Sequence, residues 1–211
     1  MMSKYEWRKE DKELYLSSKK PTKIFVPELK YFTIEGKGNP NSDSFTDNVE
    51  ALYALSYTIR MMPKKGVTPN GYFEYTVFPL EGHWDLDEEG RILNYLDKTH
   101  FVYKLMIRQP EFVDEDLFQY AAVAAVMQKK SNVDLSRVQY ELIAEGLCVQ
   151  AMHVGSYDDE PATFELMEEY CLQSNLKRAE KTHKEIYLSD PRKTAPEKMK
   201  TVLRFKVTEV D

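Results

Sequence analysis

The stretch "HKEIYLSDPRKTAPEKMKTVLRFKV" at residues 183–207 predicts two strands joined by a polar loop. Read at a period of two, His183, Glu185 and Tyr187 fall on one face of the first strand, and Ile186 falls on the other. Ile and Tyr favour a strand, but a carboxylate in its middle is unusual because Glu is depleted in strands. Glu185 therefore lies either on a solvated face or at the polar floor of a pocket.

The order of predicted elements upstream suggests a duplication. A strand, a helix and two more strands recur in each half of the chain. The first half has a strand at 23–38, a helix at 45–62 and strands at 71–80 and 100–108. A connecting helix at 114–130 follows. The second half has a strand at 137–155, a helix at 161–174 and the two closing strands. We predict an α+β fold, a duplicated β-α-β-β unit with antiparallel sheets around a central ligand groove.

We assign residues 1–211 to one domain, with repeat one at about 23–112 and repeat two at about 137–208. Ser42 or Asp43 is placed to cap the first long helix, which Pro63 ends. The residues before the first strand read as a polar lead-in. The acidic runs at 85–89 and 158–160 read as solvated loops, the second one favourably placed before a helix N-terminus.

Composition limits the classes of function. The net charge of −6 disfavours nucleic-acid or anionic-membrane partners, which bind basic patches. The 211 residues include 14 Tyr, 10 Phe and 2 Trp, which suit a core or a site for flat ligands. Cys148 and Cys171 lie apart in apolar stretches and are expected to be reduced, buried thiols. With no apolar run of about 20 residues and no signal-peptide pattern, we expect a cytoplasmic protein.

No metal or cofactor is expected. His83, His100, His153 and His183 are scattered without metal-ligand spacing. The sequence has no Gly-rich phosphate loop, no dinucleotide fingerprint and no nucleophile elbow. Covalent catalysis and nucleotide chemistry therefore have little support.

A carboxylate among aromatic residues is the remaining candidate for chemistry. Pattern alone favours a solvated Glu185, because alternating antiparallel strands most often place polar side chains outward. Tyr53 and Tyr57, four residues apart on a helix, are more often core residues than ligand contacts. Trp84 reads equally as a lid over the core, and His153 reads as structural.

Four segments resemble the GyrI-like small-molecule-binding family: "YFTIEGKGNPNS", "PLEGHW", "HVGSYDDEPATFE" and, most specifically, "HKEIYLSDPRKTAPEKMKTVLR". The resemblance extends from about residue 4 to residue 205 and is to the stand-alone branch, without a fused DNA-binding module. It implies a duplicated β-α-β-β fold and a pocket role for Glu185, at the position where related drug sensors hold a glutamate against cationic aromatic drugs. Relatives often have "EGLWW" where this chain has "EGHWD", so Asp85 replaces one aromatic residue of the cage.

The subfamily that the chain resembles is described as cyclopropanoid cyclopropyl hydrolases, which open the cyclopropane of yatakemycin-type DNA alkylators with water. The resemblance implies that Glu185 is the catalytic residue. The ligand-binding residues expected with it are Trp84, Tyr103, Tyr75, Tyr53, Tyr57, Tyr187 and His153. Two alternatives stay open, a non-catalytic binder of cationic aromatic drugs and a gyrase-interacting protein. We expect a monomer with a small aromatic ligand, without nucleic-acid or membrane partners.

Overall fold

The computed structural model describes residues 4–127 and 134–210. The chain divides into two compact units. The first unit comprises the described parts of Met1–Glu6, Leu29–Leu80 and Leu86–Ile143, and the second unit comprises Trp7–Glu28, Glu81–Asp85 and the described part of Ala144–Asp211. Among the described helices, none has the length and apolarity needed to cross a membrane.

The described residues form the predicted long helices and most of the predicted strands. The helices are α1 (Trp7–Glu10), α2 (Lys12–Tyr15), α3 (Asp43–Met61), α4 (Glu88–Ile92), α5 (Glu115–Met127) and α6 (Glu160–Gln173). The strands are β1 (Thr22–Lys37), β2 (Leu80–Leu86), β3 (Phe101–Arg108), β4 (Gln139–Val154), β5 (Leu176–Arg178), β6 (His183–Tyr187) and β7 (Lys200–Glu209). The short elements α1, α2, α4 and β5 were not predicted. The α+β class with antiparallel pairing is confirmed; the last residues of the predicted 114–130 helix lie outside the described residues.

The predicted cap of the first long helix is confirmed. Ser42 is the N-cap of α3, and its side chain accepts a hydrogen bond from the backbone N–H of Phe45. The helix passes into a short 3-10 turn that contains Pro63 and ends at Gly66, whose φ of 82° suits glycine. Gly146, inside β4, has a φ of 71°, which also suits glycine.

The predicted strand at 71–80 is wrong. This segment pairs only through an isolated bridge between Tyr75 and Tyr5, and the strand β2 begins at Leu80. Its aromatic composition suggested a strand, but Tyr75 packs against Phe112, with ring centroids 5.9 Å apart, instead of alternating across a sheet. The acidic run at 85–89, expected to be a solvated loop, instead contains the end of β2 at Leu86 and the start of α4 at Glu88.

The lead-in before β1 is not merely polar. Trp7 and Tyr15 lie on α1 and α2 and are almost fully buried, with ring centroids 5.2 Å apart. The two aromatic rings supply apolar area that outweighs the charged residues around them. The lead-in therefore contributes to the core of the second unit.

One core cluster lies in the second unit, between α6 and the strands β4, β5 and β7. It contains Val149, Ala151, Met167, Cys171, Leu176, Leu203, Phe205 and Val207. Its β7 members are all odd-numbered, because alternate side chains of a strand point to the same face. Cys148 and Cys171 are free and buried, as predicted.

Gly36 in β1 permits the close approach of Tyr103 in the first unit. A β-carbon at position 36 would overlap the Tyr103 ring, which is buried and whose hydroxyl accepts a hydrogen bond from Asn48 Nδ2 at 3.3 Å. Gly36→Ala should therefore destabilise the protein by about 1–3 kcal/mol, measured by urea unfolding. The cost should be much smaller in a Tyr103→Leu background. An equal cost in both backgrounds would show that the ring overlap is not the cause.

Candidate functional site

The register of β6 places alternate residues on two different faces of the second unit. Lys184 pairs with His83 of β2 and with Arg204 of β7, and Arg204 pairs with Gln150 of β4. These four residues form one row across the strands, and their side chains share one face. We call this the ionic face.

Glu185 belongs to the next row and to the opposite face. It pairs with Gly82 of β2 and with Leu203 of β7, and Leu203 pairs with Ala151 of β4. Leu203 and Ala151 pack against α6 in the core cluster of the second unit. Glu185 therefore points to the side of the strands that α6 covers, and we call this the carboxylate face.

Two buried cations meet two buried carboxylates on the ionic face. Lys184 Nζ lies 2.9 Å from Glu81 Oε2 and also contacts Glu145 Oε1. Arg204 Nη1 lies 3.3 Å from Glu145 Oε2, and its Nε donates to Gln150 Oε1 at 3.1 Å. The charges cancel in sum, so the residues of this face compensate one another inside the protein.

Burial disfavours the charged forms of Lys184 and Glu145 on the ionic face, but their oppositely charged partners stabilise those forms more strongly. Burial alone would lower the pKa of Lys184, yet the charges of Glu145 and Glu81 hold it above its usual value. Burial would likewise raise the pKa of Glu145, yet Lys184, His83 and Arg204 hold it well below the usual carboxyl range. Both groups of the central pair are therefore ionised at neutral pH.

The ionic face is also tied to the lead-in helices. Tyr15 Oη donates to Glu81 Oε1 at 3.1 Å, and Arg204 Nη2 donates to the carbonyl of Leu14 at 2.6 Å. Gln150 Nε2 donates to the carbonyl of Glu13 at 2.6 Å. The exposed backbone carbonyls at the end of α2 thus find buried donors.

On the carboxylate face, Glu185 is buried, with 9% of its surface exposed, so the reading of a solvated, inert Glu185 does not apply. His183 Nε2 donates to Glu185 Oε1 at 3.1 Å, and Tyr187 Oη donates to Glu185 Oε2 at 2.8 Å. Trp84 Nε1 donates to Tyr187 Oη at 2.8 Å. Both oxygens of Glu185 therefore accept a hydrogen bond, and the donors come from alternate residues of one strand.

Aromatic rings flank this carboxylate. The ring of Tyr157 meets Tyr187 edge to face, with centroids 6.0 Å apart, and Phe164 meets the His183 ring with centroids 4.8 Å apart. Tyr157 has 37% of its surface exposed, so the aromatic edge reaches solvent. Burial and the charge of Glu185 raise the pKa of Tyr157 to about 12, and they raise that of Tyr187 well above its usual range.

Glu160 is a second carboxyl group on this face. It is the first residue of α6, has 6% of its surface exposed and forms a hydrogen bond with Glu185. Burial, the charge of Glu185, this hydrogen bond and Asp158 raise the pKa of Glu160 well above the usual carboxyl range. Glu160 is therefore protonated at neutral pH and donates to Glu185.

The reading of residues 158–160 as a solvated loop is wrong for Glu160. Asp158 and Asp159 are exposed, but Glu160 turns inward as α6 begins. Pro161, which marks the helix start, could have indicated this change, because a first-turn side chain can face the sheet on which its helix packs. No periodicity of the sequence pairs Glu160 with Glu185.

Four of the sequence-predicted site residues lie in the second unit. Glu185, Tyr187 and Trp84 form one hydrogen-bonded chain. His153, also buried, bonds elsewhere: its Nδ1 meets Thr163 Oγ1 and its Nε2 meets the carbonyl of Ser156, each at 2.9 Å. With both ring nitrogens engaged, His153 holds the start of α6 to the end of β4.

The other four predicted ligand residues lie in the first unit. Tyr75 is 1% exposed and Tyr103 is 5% exposed. The Tyr53 and Tyr57 rings lie 6.2 Å apart on α3, with Tyr57 half exposed. Their contact with a ligand stays a prediction.

Comparison with known proteins gives a consistent picture. The model of the GyrI-like small molecule binding domain matches residues 19–208. A structure described as a hydrolase from Listeria innocua is 37% identical with a TM-score of 0.88, covering 97% of this chain and 100% of that one. An uncharacterized conserved protein from Listeria innocua is 38% identical with a TM-score of 0.90, at the same coverage.

More distant similarity shows the fold alone. The EcmrR C-terminal domain has a TM-score of 0.53 at 11% identity, covering 93% of this chain and 99% of that one. No curated protein matches the chain.

Lys184→Met should destabilise the protein by about 3–5 kcal/mol, because it leaves Glu81 and Glu145 buried without their shared cation. The measurement is urea unfolding at neutral pH. Lys177→Met, the same exchange at an exposed position of β5, is the matched control and should change stability little. Equal losses in the two variants would contradict the role assigned to the ionic face.

Proposed function

Because this chain belongs to the GyrI-like small-molecule-binding family, we propose that it binds flat aromatic xenobiotics beside Glu185 and hydrolyses those that carry an electrophilic cyclopropane. The observation that carries the proposal is a buried carboxyl group held between fixed donors and aromatic rings. The hydrolase named among the similar structures supports the enzymatic form of the proposal.

The surroundings of Glu185 suit a general base. Hydrogen bonds from His183 and Tyr187 fix the orientation of its carboxylate, and with Glu160 as a third donor one acceptor position remains for a water molecule. Trp84 orients Tyr187 through its indole N–H, so the base is held by a chain of side chains on two paired strands. Such preorganisation lowers the cost of positioning the attacking water.

The proposed reaction adds one water to the ligand. Glu185 takes a proton from water, the water oxygen bonds to the cyclopropane carbon, and the strained carbon–carbon bond breaks. The electron pair moves into the conjugated dienone and leaves a phenolate, whose aromaticity drives the step. A positioned general base contributes roughly 10²–10⁴-fold to such a rate.

A non-catalytic role is the second candidate, favoured by the charge of the site. One negative carboxylate beside the rings of Trp84, Tyr157 and Tyr187 is also suited to a flat cation, through charge pairing and cation–π attraction. In that case Glu185 is a counter-charge, and its neutralisation weakens binding instead of turnover.

The predicted aromatic residues of the first unit are a separate part of the proposal. Tyr53, Tyr57, Tyr75 and Tyr103 are proposed as ligand-binding residues of that unit. The exposed edge of Tyr57 makes it the most readily tested of the four, since its substitution disturbs little packing.

Glu185→Gln should keep ligand binding and lose turnover by roughly 10²–10⁴-fold, because the amide keeps the shape but cannot accept a proton. The protein is incubated with a cyclopropane-bearing DNA alkylator, and the product heavier by one water is quantified by liquid chromatography with mass detection. Glu197→Gln, at an exposed position of the loop before β7, is the matched control.

Three outcomes separate the candidates. Turnover by the wild type and the control but not by Glu185→Gln supports the hydrolase. Binding without turnover by the wild type, weakened in Glu185→Gln, supports the second candidate. Wild-type turnover rates in Glu185→Gln would refute the role of Glu185 as base.

A further inference from the structure

The fold brings Glu160 to Glu185 from a distant part of the second unit. α6 packs on the carboxylate face through Met167 and Cys171, and its first residue is Glu160. Its 6% exposure matches the burial of Glu185, and the two carboxyl groups are joined by a hydrogen bond. We call them the carboxyl pair.

The hydrogen bonds around the carboxyl pair are unequal. Glu185 accepts hydrogen bonds from His183 Nε2 and Tyr187 Oη. In the part of the chain that the structure describes, Oε1 of Glu160 is buried and receives no donor. The protonated member of the pair is therefore Glu160, and Glu185 is the member that accepts hydrogen bonds.

The negatively charged and titratable groups around Glu160 favour its protonated form. Asp158 precedes it in the turn, and Tyr157 and Tyr187 lie close enough to interact electrostatically with it. Burial and the negative charges raise the pKa of Glu160. The N-terminus of α6 favours a negative charge, but that effect is weak compared with burial beside a carboxylate.

We propose that Glu160 is a second catalytic residue, a general acid that gives its proton to the ligand oxygen that becomes negative as the ring opens. This inference rests on the proposed hydrolase function and deepens it. The two carboxyl groups then have opposite tasks, one taking a proton from water and the other supplying one, as in other sites where two carboxyl groups share a proton.

The proton balance closes within the pair. Glu185 gains the proton of the attacking water, and Glu160 loses its proton to the dienone oxygen, so the product is a phenol and no free phenolate is released. The proton on Glu185 then crosses the hydrogen bond to Glu160. Each cycle consumes one water and returns the pair to its starting state.

This arrangement selects a class of substrate. A ligand that gains from both groups is neutral and flat, with a carbonyl oxygen conjugated to the strained ring. A cation meets only one negative charge in the pair, and it gains nothing from the protonated Glu160. The site is therefore better matched to neutral dienone electrophiles than to organic cations.

Glu160→Gln should lower kcat by roughly 10²–10⁴-fold and leave ligand binding unchanged, because the amide copies the shape of the protonated acid but donates no proton in the reaction. The matched control is Glu165→Gln, at an exposed position of the same helix. The wild-type rate should fall at alkaline pH as Glu160 ionises, and the residual rate of Glu160→Gln should lack this decline. An unchanged kcat in Glu160→Gln would overturn the proposal.

A measurement without substrate tests the position of the proton independently. Unfolded glutamate ionises near pH 4.3, whereas folded Glu160 keeps its proton. Above that pH the folded state thus binds one more proton than the unfolded state. Because of this difference, the folding equilibrium constant should fall about tenfold for each unit by which the pH rises. This contribution is absent below the unfolded pKa and stops growing at the folded pKa.

Glu160→Gln should remove this contribution and be more stable than the wild type at pH 8, measured by urea unfolding across a pH series. Equal pH dependence in the two proteins would overturn the proposal, whatever the activity. The extra slope in the wild type, together with no hydrolysis by the wild type, would confirm the shared proton while refuting both the proposed function and the catalytic role of Glu160.

Discussion

The buried pairing of Lys184 with Glu81 and Glu145 is the interaction on which the rest of the second unit depends. A lysine deep in a protein is tolerated only when opposite charges compensate it. Glu81 stands on β2, which pairs with β6, and Glu145 stands on β4, which pairs with β7, so the three charges tie β6 to strands on both of its sides. A shift of β6 by one residue would place Lys184 among the core residues and Glu185 among the cations.

The same register produces the candidate site on the opposite face. With Lys184 turned one way, Glu185 must turn the other, together with His183 and Tyr187. There it meets Glu160 of α6, whose pKa is raised by burial and by the neighbouring Glu185. The two faces of the five-residue strand β6 therefore differ. The ionic face pairs its buried cations with carboxylates, whereas the carboxylate face places Glu185 among aromatic side chains.

Several parts of this arrangement could be predicted from the sequence. The cap at Ser42, the free buried Cys148 and the common face of His183, Glu185 and Tyr187 each follow from local chemistry or from a period of two. The segment 71–80 could not, because aromatic residues favour a strand and a core cluster equally. The strand of this region, β2, lies later in the chain, at Leu80–Leu86, where it pairs with β6.

The sequence by itself determined the family, the antiparallel α+β class and the candidacy of Glu185, since each depends on motifs or on residues close along the chain. Only the tertiary structure decided that Glu185 is buried and that Glu160 is its partner. These two residues are distant in sequence, and their contact depends on how α6 packs across β7. Whether a carboxyl group ionises depends on the charges and solvent around it, which the order of residues along a chain does not specify.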